Sequence, residues 1–237
     1  MTIPTDTDAK TIGVLNEQPL HAALKRWYAG TDGQLEVTID GFVIDVVRDG
    51  LLIEIQVGHF SSIKRKVKRL LKKDHTLRLV YPIPREKWLL KHLPEAEGEI
   101  ERRKSPKRGR VEEIFNELVS FPALLAHPNF SLEVALTQEE EVRHYDPSAW
   151  RQHGWATDER RLIDVVGQRR FERPADMLAL LPAGMPEPFT TADLAEAMDG
   201  SRRLAQRMAY CLRKMGCITQ IGRRGRAKLY ERGMEDF

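Results

Sequence analysis

The chain has 237 residues, of which 31% are charged and 41% hydrophobic, and its formal net charge is only +3. This composition argues against wholesale disorder and allows one large domain or two small ones. The sequence has no apolar run near the roughly 18–20 residues that span a bilayer, and its N-terminus lacks the basic-then-apolar order of a signal peptide. The two cysteines, Cys211 and Cys217, form no CxxC pair, which argues against a zinc site. We therefore expect a soluble, cytoplasmic protein with no membrane partner.

The basic residues are concentrated in three blocks. Residues 64–73 contain seven Lys or Arg and no acid, residues 102–110 contain six and no acid, and residues 201–232 contain ten and one acid. A solvated helix face would explain any single block. Three separate blocks in a nearly neutral chain indicate instead a polyanionic partner, most simply nucleic acid. We therefore expect DNA as a partner and a nucleoid-associated location, and a homodimer or a repair protein would be compatible as a second partner.

The N-terminal part of the chain predicts a helix, three strands, a helix and a strand, in that order, after a disordered segment over residues 1–14. Strands are predicted over residues 34–40, 42–48, 51–57 and 76–81, the last ended by Pro82 and Pro84. The helices are predicted over residues 16–29 and 61–73. Asp49-Gly50 lies between two β-branched segments, which is a strong signal of a two-residue hairpin.

The rest of the chain predicts a loop over residues 95–110, a helix over 111–126 and a strand over 130–136, whereas residues 161–174 give no firm assignment. The last sixty residues predict three short helices and then two strands around a basic glycine turn. Thr190 and Asp193 fit a capping box that opens the second of these helices. We place the domain boundary between residues 156 and 157, after a larger domain over 15–156.

The Asp49-Gly50 turn sets Asp45 opposite Glu54 in the hairpin. Their shared face also carries Val43, Val47, Leu52 and Gln56, and Ile44, Val46, Ile53 and Ile55 form the opposite, core face. Two opposed carboxylates repel each other and lose hydration in apolar surroundings. A divalent cation is the natural partner of such a pair. The alternative is an exposed face from which both acids point to water.

The order of elements and the residues Asp45 and Glu54-Ile55-Gln56 resemble the PD-(D/E)XK phosphodiesterases over roughly residues 15–85. That superfamily has an acid on the second strand and an acid-any-lysine motif on the third. The resemblance implies an α/β protein with a restriction-endonuclease-like core, in which helices flank a mixed sheet. It also implies that Mg²⁺ or Mn²⁺ is held by Asp45, Glu54 and the carbonyl of Ile55.

Two further site residues follow from this resemblance. Family members often add a glutamate on the first helix, and Glu17 is suitably placed for that role. Gln56 stands where the family has lysine, so the missing positive charge is expected from the next helix, where Lys64 or Lys66 is a candidate. Of these, we assign Lys64 to catalysis and Lys66 to DNA binding.

The C-terminal segment over about residues 172–232 resembles a winged helix-turn-helix domain. This resemblance implies a recognition helix that enters the DNA major groove and a wing that contacts the phosphate backbone or the minor groove. The residues expected on the recognition helix are Arg202, Arg203, Gln206 and Arg207. Those expected on the wing are Arg223, Arg224, Arg226 and Lys228. Winged helices also serve as protein-docking modules, but the near absence of acids from residues 201–232 favours DNA.

The two resemblances together predict a metal-dependent DNA nuclease that acts in repair, recombination or defence. The alternative is a non-catalytic DNA-binding protein that retains a degenerate nuclease fold. A protein-interaction adaptor is a third reading, and it predicts no DNA affinity. Cleavage assays with and without metal distinguish these possibilities.

Overall fold

The computed structural model describes residues 18–92, 100–149 and 153–233. The predicted disordered segment 1–14 and Glu17 lie outside these residues. The architecture is α/β, with a large mixed sheet flanked by helices and a second, three-stranded sheet near the C-terminus. None of the helices in the described ranges is long and apolar enough to cross a membrane.

The helices are α1 (Pro19–Ala29), α2 (Phe60–Leu71), α3 (Phe115–Leu118), α4 (Pro174–Leu178), α5 (Thr191–Ala197) and α6 (Arg202–Lys214). The strands are β1 (Gln34–Ile39), β2 (Phe42–Arg48), β3 (Leu51–Ile55), β4 (Leu77–His92), β5 (Ile100–Lys104), β6 (Phe130–Tyr145), β7 (Trp155–Phe171), β8 (Phe189–Thr190), β9 (Ile218–Arg224) and β10 (Ala227–Arg232). The predicted order from the first helix to the fourth strand is therefore confirmed.

The large sheet has the strand order β1-β2-β3-β4-β6-β7, and β5 pairs with β4. Strands β1 to β3 are antiparallel, β3, β4 and β6 run parallel, and β7 is antiparallel to β6. Helix α1 packs beneath one face through Leu20 and Leu24, and α2 packs on the other face through Val67 and Leu70. The parallel connection from β3 to β4 requires a crossover, and α2 provides it.

The β2–β3 hairpin has the predicted register, with Val46 opposite Ile53 and Val47 opposite Leu52. Asp49 has φ 50° and Gly50 has φ 77°; a two-residue type I′ turn requires positive values at both positions, and Asp-Gly is one of the dipeptides that favour it. The turn chemistry therefore fixes which residues of the two strands face each other.

The predicted division of the hairpin into two faces is wrong at Ile44. This residue was expected on the face of Val46 and Ile53, which pack beneath α1, but it is buried with Leu52 in the hydrophobic cluster on the α2 side. The physical reason is a local irregularity: the β2–β3 ladder ends at Val46 and Ile53, and on β1 the residue Glu36 has φ 53°. The strict alternation of side chains is thus lost around Asp45.

Strand β4 continues to His92, although a stop at Pro82 and Pro84 was expected. Proline has no N–H to donate, so it fits a strand only where no neighbour needs that donor. Pairing of β4 with β3 ends at Val80, and pairing with β5 begins at Trp88. Both prolines lie in this interval, where that edge of β4 has no paired strand, and β6 pairs along the other edge.

The single helix expected over residues 111–126 is instead broken into three short turns. A 3₁₀ turn at Val111–Ile114 leads into α3, and a second 3₁₀ turn covers Pro122–Ala126. Phe121 leaves the helical region with φ −158°, directly before the proline. A proline inside a helix removes a hydrogen bond and clashes with the preceding turn, which explains the break despite the helical spacing of apolar residues.

Strand β7 crosses the expected domain boundary at 156/157 and stays paired with β6 as far as Phe171. The C-terminal unit, which we define as residues 174–232, therefore begins with α4. Its sheet has the order β8-β10-β9. The predicted capping box is confirmed, since the Thr190 hydroxyl accepts from the N–H of Asp193 and the Asp193 carboxylate accepts from the N–H of Thr190.

The C-terminal unit packs on the α3 side of the large sheet. One hydrophobic cluster extends from Ile44 on β2 to Tyr230 on β10. Two arginines add polar contacts: Arg110 donates to the carbonyl of Met198 at 2.6 Å, and Arg207 on α6 donates to Asn116 on α3. The two parts of the chain therefore share an apolar core and are joined by hydrogen bonds at its margin.

Candidate active site and basic surfaces

Polar contacts of Tyr28 and Lys25 help to fix helix α1 against the sheet. The Tyr28 hydroxyl donates to Oε1 of buried Glu133 at 2.6 Å, and Nζ of Lys25 lies 2.6 Å from Oε1 of Glu36 on β1. These contacts, together with the packing of Leu24, place His21 next to the end of the β2–β3 ladder.

Asp45 lies at this position, with most of its side chain buried. Its Oδ2 accepts a hydrogen bond from the backbone N–H of Ile55 at 2.8 Å, and Nε2 of His21 is 3.2 Å from the same oxygen. Burial alone would raise the pKa of Asp45, but His21 and the Ile55 N–H stabilise the charged form and hold the pKa below its usual range. Asp45 is therefore a carboxylate at neutral pH.

Glu54 is almost fully buried, with its side chain 3% exposed, and its Oε1 lies 2.5 Å from Nζ of Lys66. Lys66 donates its hydrogen bond to the carbonyl of Val43, and Oε1 of Glu54 has no partner in hydrogen-bond geometry. Burial, followed by the charge of Asp45, raises the pKa of Glu54 to about 7, against a smaller opposing effect of Lys66. The two carboxylates are thus close enough to repel each other.

The structure brings Lys66 to the carboxylates, whereas Lys64 lies on the other side of the helix. Lys64 lines a surface groove with Arg65 and Lys68. Two residues correspond to about 200° of helix rotation at 3.6 residues per turn, so the two lysines flank opposite edges of the buried face of α2. The structure therefore places Lys66, and not Lys64, beside the two carboxylates.

Gln56 directs its amide toward the connection between β3 and α2. Its Nε2 donates to the carbonyl of His59 and to Oγ of Ser62, both at 3.2 Å. The side chain thus stabilises the start of α2. None of its hydrogen bonds in the described part of the chain reaches Asp45 or Glu54.

A divalent cation is compatible with the donor atoms at this position. Mg²⁺ prefers oxygen ligands, often one or two carboxylates completed by water and substrate phosphate. The buried carboxylate of Glu54, whose Oε1 is paired with Nζ of Lys66, offers oxygens of this kind, and the carboxylate of Asp45 is its neighbour. Within the described ranges no group of three or more His, Cys, Asp or Glu could hold a metal ion; Glu17 is outside those ranges. The expected ligands are only two carboxylate side chains, of Asp45 and Glu54, and one backbone carbonyl, so they do not form a group of three such side chains.

A second candidate surface is a groove of about 330 Å³ between α6 and the β9–β10 hairpin. Gln206, Tyr210 and Arg213 line it from α6, and Arg226 and Lys228 line it from the hairpin. None of the described residues that line the groove is acidic. The sequence analysis missed Tyr210 and Arg213, although their spacing from Gln206 is that of one helix face and could have identified them.

The other basic residues predicted in the C-terminal unit differ in their surroundings. Arg202, Arg203 and Arg223 are exposed. Arg224 lies 3.0 Å from Oδ2 of Asp193 and donates to the carbonyl of Pro188. The guanidinium of Arg224, like that of Arg207, therefore forms hydrogen bonds within the protein.

Comparison with known proteins assigns the chain to a family. The model of the family described as "Domain of unknown function (DUF8091)" matches residues 18–172, which end directly after β7. A protein of Treponema pallidum (strain Nichols), described as an uncharacterized protein, is 31% identical over 225 residues, or 94% of this chain and 88% of the relative. No solved structure matches the chain. The chain therefore belongs to the DUF8091 family.

Proposed function

For this member of the DUF8091 family, we propose metal-dependent hydrolysis of DNA phosphodiester bonds by a site of the PD-(D/E)XK type. The observation that carries the proposal is the convergence of three side chains at one end of the β2–β3 hairpin. Asp45 and Glu54 are close enough for the charge of one to raise the pKa of the other, and the ammonium of Lys66 lies beside Glu54. Two acids and a lysine are the side-chain types of that superfamily's motif.

Each residue has a distinct role in this proposal. Asp45, Glu54 and the Ile55 carbonyl would hold Mg²⁺ or Mn²⁺, which supplies Lewis acidity to an attacking water and to the scissile phosphate. Lys66 takes the place of the lysine in the PD-(D/E)XK motif and stabilises negative charge that develops on the phosphate. His21 orients the Asp45 carboxylate through its 3.2 Å contact. Glu17, four residues before His21 in the sequence, remains a candidate for assistance to the metal or the water.

The C-terminal unit would bind DNA as a winged helix. Its order of helix, strand, two helices and two strands, and its sheet order β8-β10-β9, match that type of domain. The groove between α6 and the hairpin carries Arg213, Arg226 and Lys228 beside the exposed ring of Tyr210. Basic side chains contact phosphates and an aromatic ring packs against sugars or bases. Such a nuclease would act in repair, recombination or defence at the nucleoid.

The test is incubation of the purified protein with single-stranded, duplex and branched DNA in Mg²⁺, Mn²⁺ or EDTA. We expect cleavage with metal and none with EDTA. Asp45→Asn and Glu54→Gln should abolish cleavage while each keeps the size of its side chain. Asp146→Asn is the matched control, because the Asp146 carboxylate accepts hydrogen bonds from the N–H and the hydroxyl of Ser148 in a surface turn. A wild-type protein that cuts no substrate with either metal would refute the proposal.

A non-catalytic DNA-binding protein is the second candidate function. It is favoured by one specific observation: Gln56 replaces the motif lysine and is bound to the β3–α2 connection. Under this alternative, the ion pair between Lys66 and Glu54 is a structural contact. DNA binding that is unchanged by Asp45→Asn, in a wild-type protein that never cleaves, would establish it.

A further inference from the structure

The outer face of α2 has a dense positive charge, most of which forms no ion pair with the described residues. Two basic residues of the segment 64–73 face acids, since Lys66 pairs with Glu54 and Lys73 pairs with Asp40 at 2.5 Å. The others line a groove of about 500 Å³ together with Ser61. Within the described residues, none of these five takes part in an ion pair: Lys64, Arg65, Lys68, Arg69 and Lys72.

The buried side of α2 restricts the kind of partner that this face can bind. Phe60, Ile63, Val67, Leu70 and Leu71 are all packed in the core. A helix that inserts into a membrane interface needs its apolar face for the lipid. Here only the charged face of the helix is accessible, so that recognition through charge, as of a phosphate backbone, is favoured over a lipid surface.

The charged face of α2 forms part of a longer surface. Ser61 also borders a groove of about 480 Å³ that contains His59 and Arg203, so the α2 face continues to the start of α6. The face from Ser61 to Lys72 is about 16 Å long at 1.5 Å per residue. This length can follow several phosphates, and it leads toward the C-terminal unit.

We infer that the outer face of α2 is a second DNA-binding surface, which holds the phosphate backbone of the same duplex that α6 and the hairpin bind. The choice of DNA as the ligand rests on the proposed function. The carboxylates lie next to Lys66 on one flank of α2, and the groove at the N-terminal end of α2 leads to the start of α6. Helix α2 therefore connects the candidate active site with the candidate recognition helix, and its charge determines how firmly DNA is held across the site.

The inference is tested by DNA binding of matched double variants in EDTA, where no metal-dependent cleavage interferes. Arg65→Gln with Arg69→Gln removes two charges from the α2 face. Arg26→Gln with Arg169→Gln removes two exposed arginines from α1 and β7. Fluorescence anisotropy with a labelled duplex is measured over a series of NaCl concentrations, and thermal unfolding confirms that both variants are folded.

We expect the α2 variant to bind on the order of tenfold more weakly and its salt slope to fall by about 2, because each lost phosphate contact releases about one counterion fewer. The control variant should bind like the wild type. Equal affinity and slope for the α2 variant and the wild type would overturn the inference. So would an α2-dependent affinity for phosphatidylserine-containing vesicles without affinity for DNA.

The inference and the proposed function fail in different ways. If α2 charge is needed for binding but wild-type protein cuts no DNA with metal, the inference is supported and the nuclease proposal fails. If wild-type protein cleaves DNA and the α2 variant binds it normally, the inference fails and the nuclease proposal is supported.

Discussion

Lys66 on α2 and Glu54 on β3 form a buried ion pair, with Nζ 2.5 Å from Oε1. The ammonium reaches the carboxylate from the helix that follows the strand. It thus supplies positive charge beside the hairpin, where Gln56 follows β3 at the position that the proposed PD-(D/E)XK motif gives to lysine.

Lys66→Met should reduce the rate of cleavage at saturating DNA by about 10²–10³, the usual cost of one preorganised electrostatic contact in a transition state. Lys64→Met is the matched comparison, because Lys64 lies on the opposite flank of α2. It can weaken binding but should retain most of the rate. Single-turnover kinetics with excess enzyme measure both. A larger loss of rate for Lys64→Met than for Lys66→Met would show that Lys64, and not Lys66, acts in catalysis.

The sequence was informative where one local rule decides the structure. The Asp49-Gly50 turn allows one hairpin register, and Thr190 with Asp193 allows one helix start; both are as predicted. The sequence was less informative where the outcome depends on which strands lie next to a residue in the folded sheet. Pro82 and Pro84 end a strand only if both edges are paired, and the free edge of β4 became visible only in the sheet.

The choice between Lys64 and Lys66 shows the same limit at the candidate site. Both are near the start of a basic helix, and composition does not distinguish them. The rotational position of each lysine on the helix distinguishes them, because the buried residues Ile63, Val67 and Leu70 fix which flank of α2 faces the hairpin. Charge near Asp45 and Glu54 could be predicted, but the side chain that provides it depended on the packing of α2.

Gln56→Lys should leave cleavage intact or raise it, and it should partly restore activity to a Lys66→Met variant. The reason is that a PD-(D/E)XK site, as we propose here, usually takes this positive charge from a lysine at the position of Gln56. The substitution also removes the bonds of Gln56 to His59 and Ser62, so a small loss of stability is expected. Cleavage rates of the two single variants and the double variant are compared. An inactive double variant would show that position 56 does not reach the phosphate.

Glu54 should make the stability of the metal-free protein depend on pH. Its pKa is about 7 in the folded protein, whereas 4.5 is the ordinary value of a glutamate and applies to the unfolded chain. The folded protein thus binds more protons, and this contribution to stability is complete below about pH 4.5 and is lost as the pH rises through 7. His21, Asp45 and Lys66 face or border the same site, so the effect of Glu54 is isolated as a difference between variants.

The measurement is urea unfolding in EDTA across this pH range, for the wild type and for Glu54→Gln. We expect the wild type to lose more stability than the variant between pH 5 and 8, because the amide does not titrate. Parallel curves for the two proteins would contradict a raised pKa of Glu54 in the folded state.

Tyr210→Ala should weaken DNA binding with little effect on folding. The ring is 41% exposed in the groove beside α6, so its removal leaves no large cavity. Loss of one stacking contact would cost about 1–3 kcal/mol of binding free energy. Anisotropy titrations and thermal unfolding measure the two effects, with Trp27→Ala on α1 as a control for an exposed aromatic residue. Equal DNA affinities of the Tyr210→Ala and Trp27→Ala variants would show that Tyr210 is not part of the DNA-binding surface.

Arg203 and Arg207 lie one turn apart on α6 but should serve different purposes. Arg207 donates to the carbonyl of Asn116 at 3.3 Å and to its Oδ1 at 2.8 Å, so Arg207→Ala removes hydrogen bonds that join the C-terminal unit to α3. Bonds to a charged group contribute about 1.5–3 kcal/mol to stability. We expect Arg207→Ala to lower the free energy of unfolding by an amount in this range.

Arg203 is exposed beside the groove at the start of α6, so Arg203→Ala should change stability by less than about 0.5 kcal/mol. It should instead weaken DNA binding and lower the salt slope by about 1. Urea unfolding and salt-dependent anisotropy are measured for both variants, and Asn116→Ala should reproduce part of the Arg207 effect on stability. The opposite pattern, a stability loss for Arg203→Ala and a changed salt slope for a folded Arg207→Ala protein, would mean that α6 meets DNA through a different face.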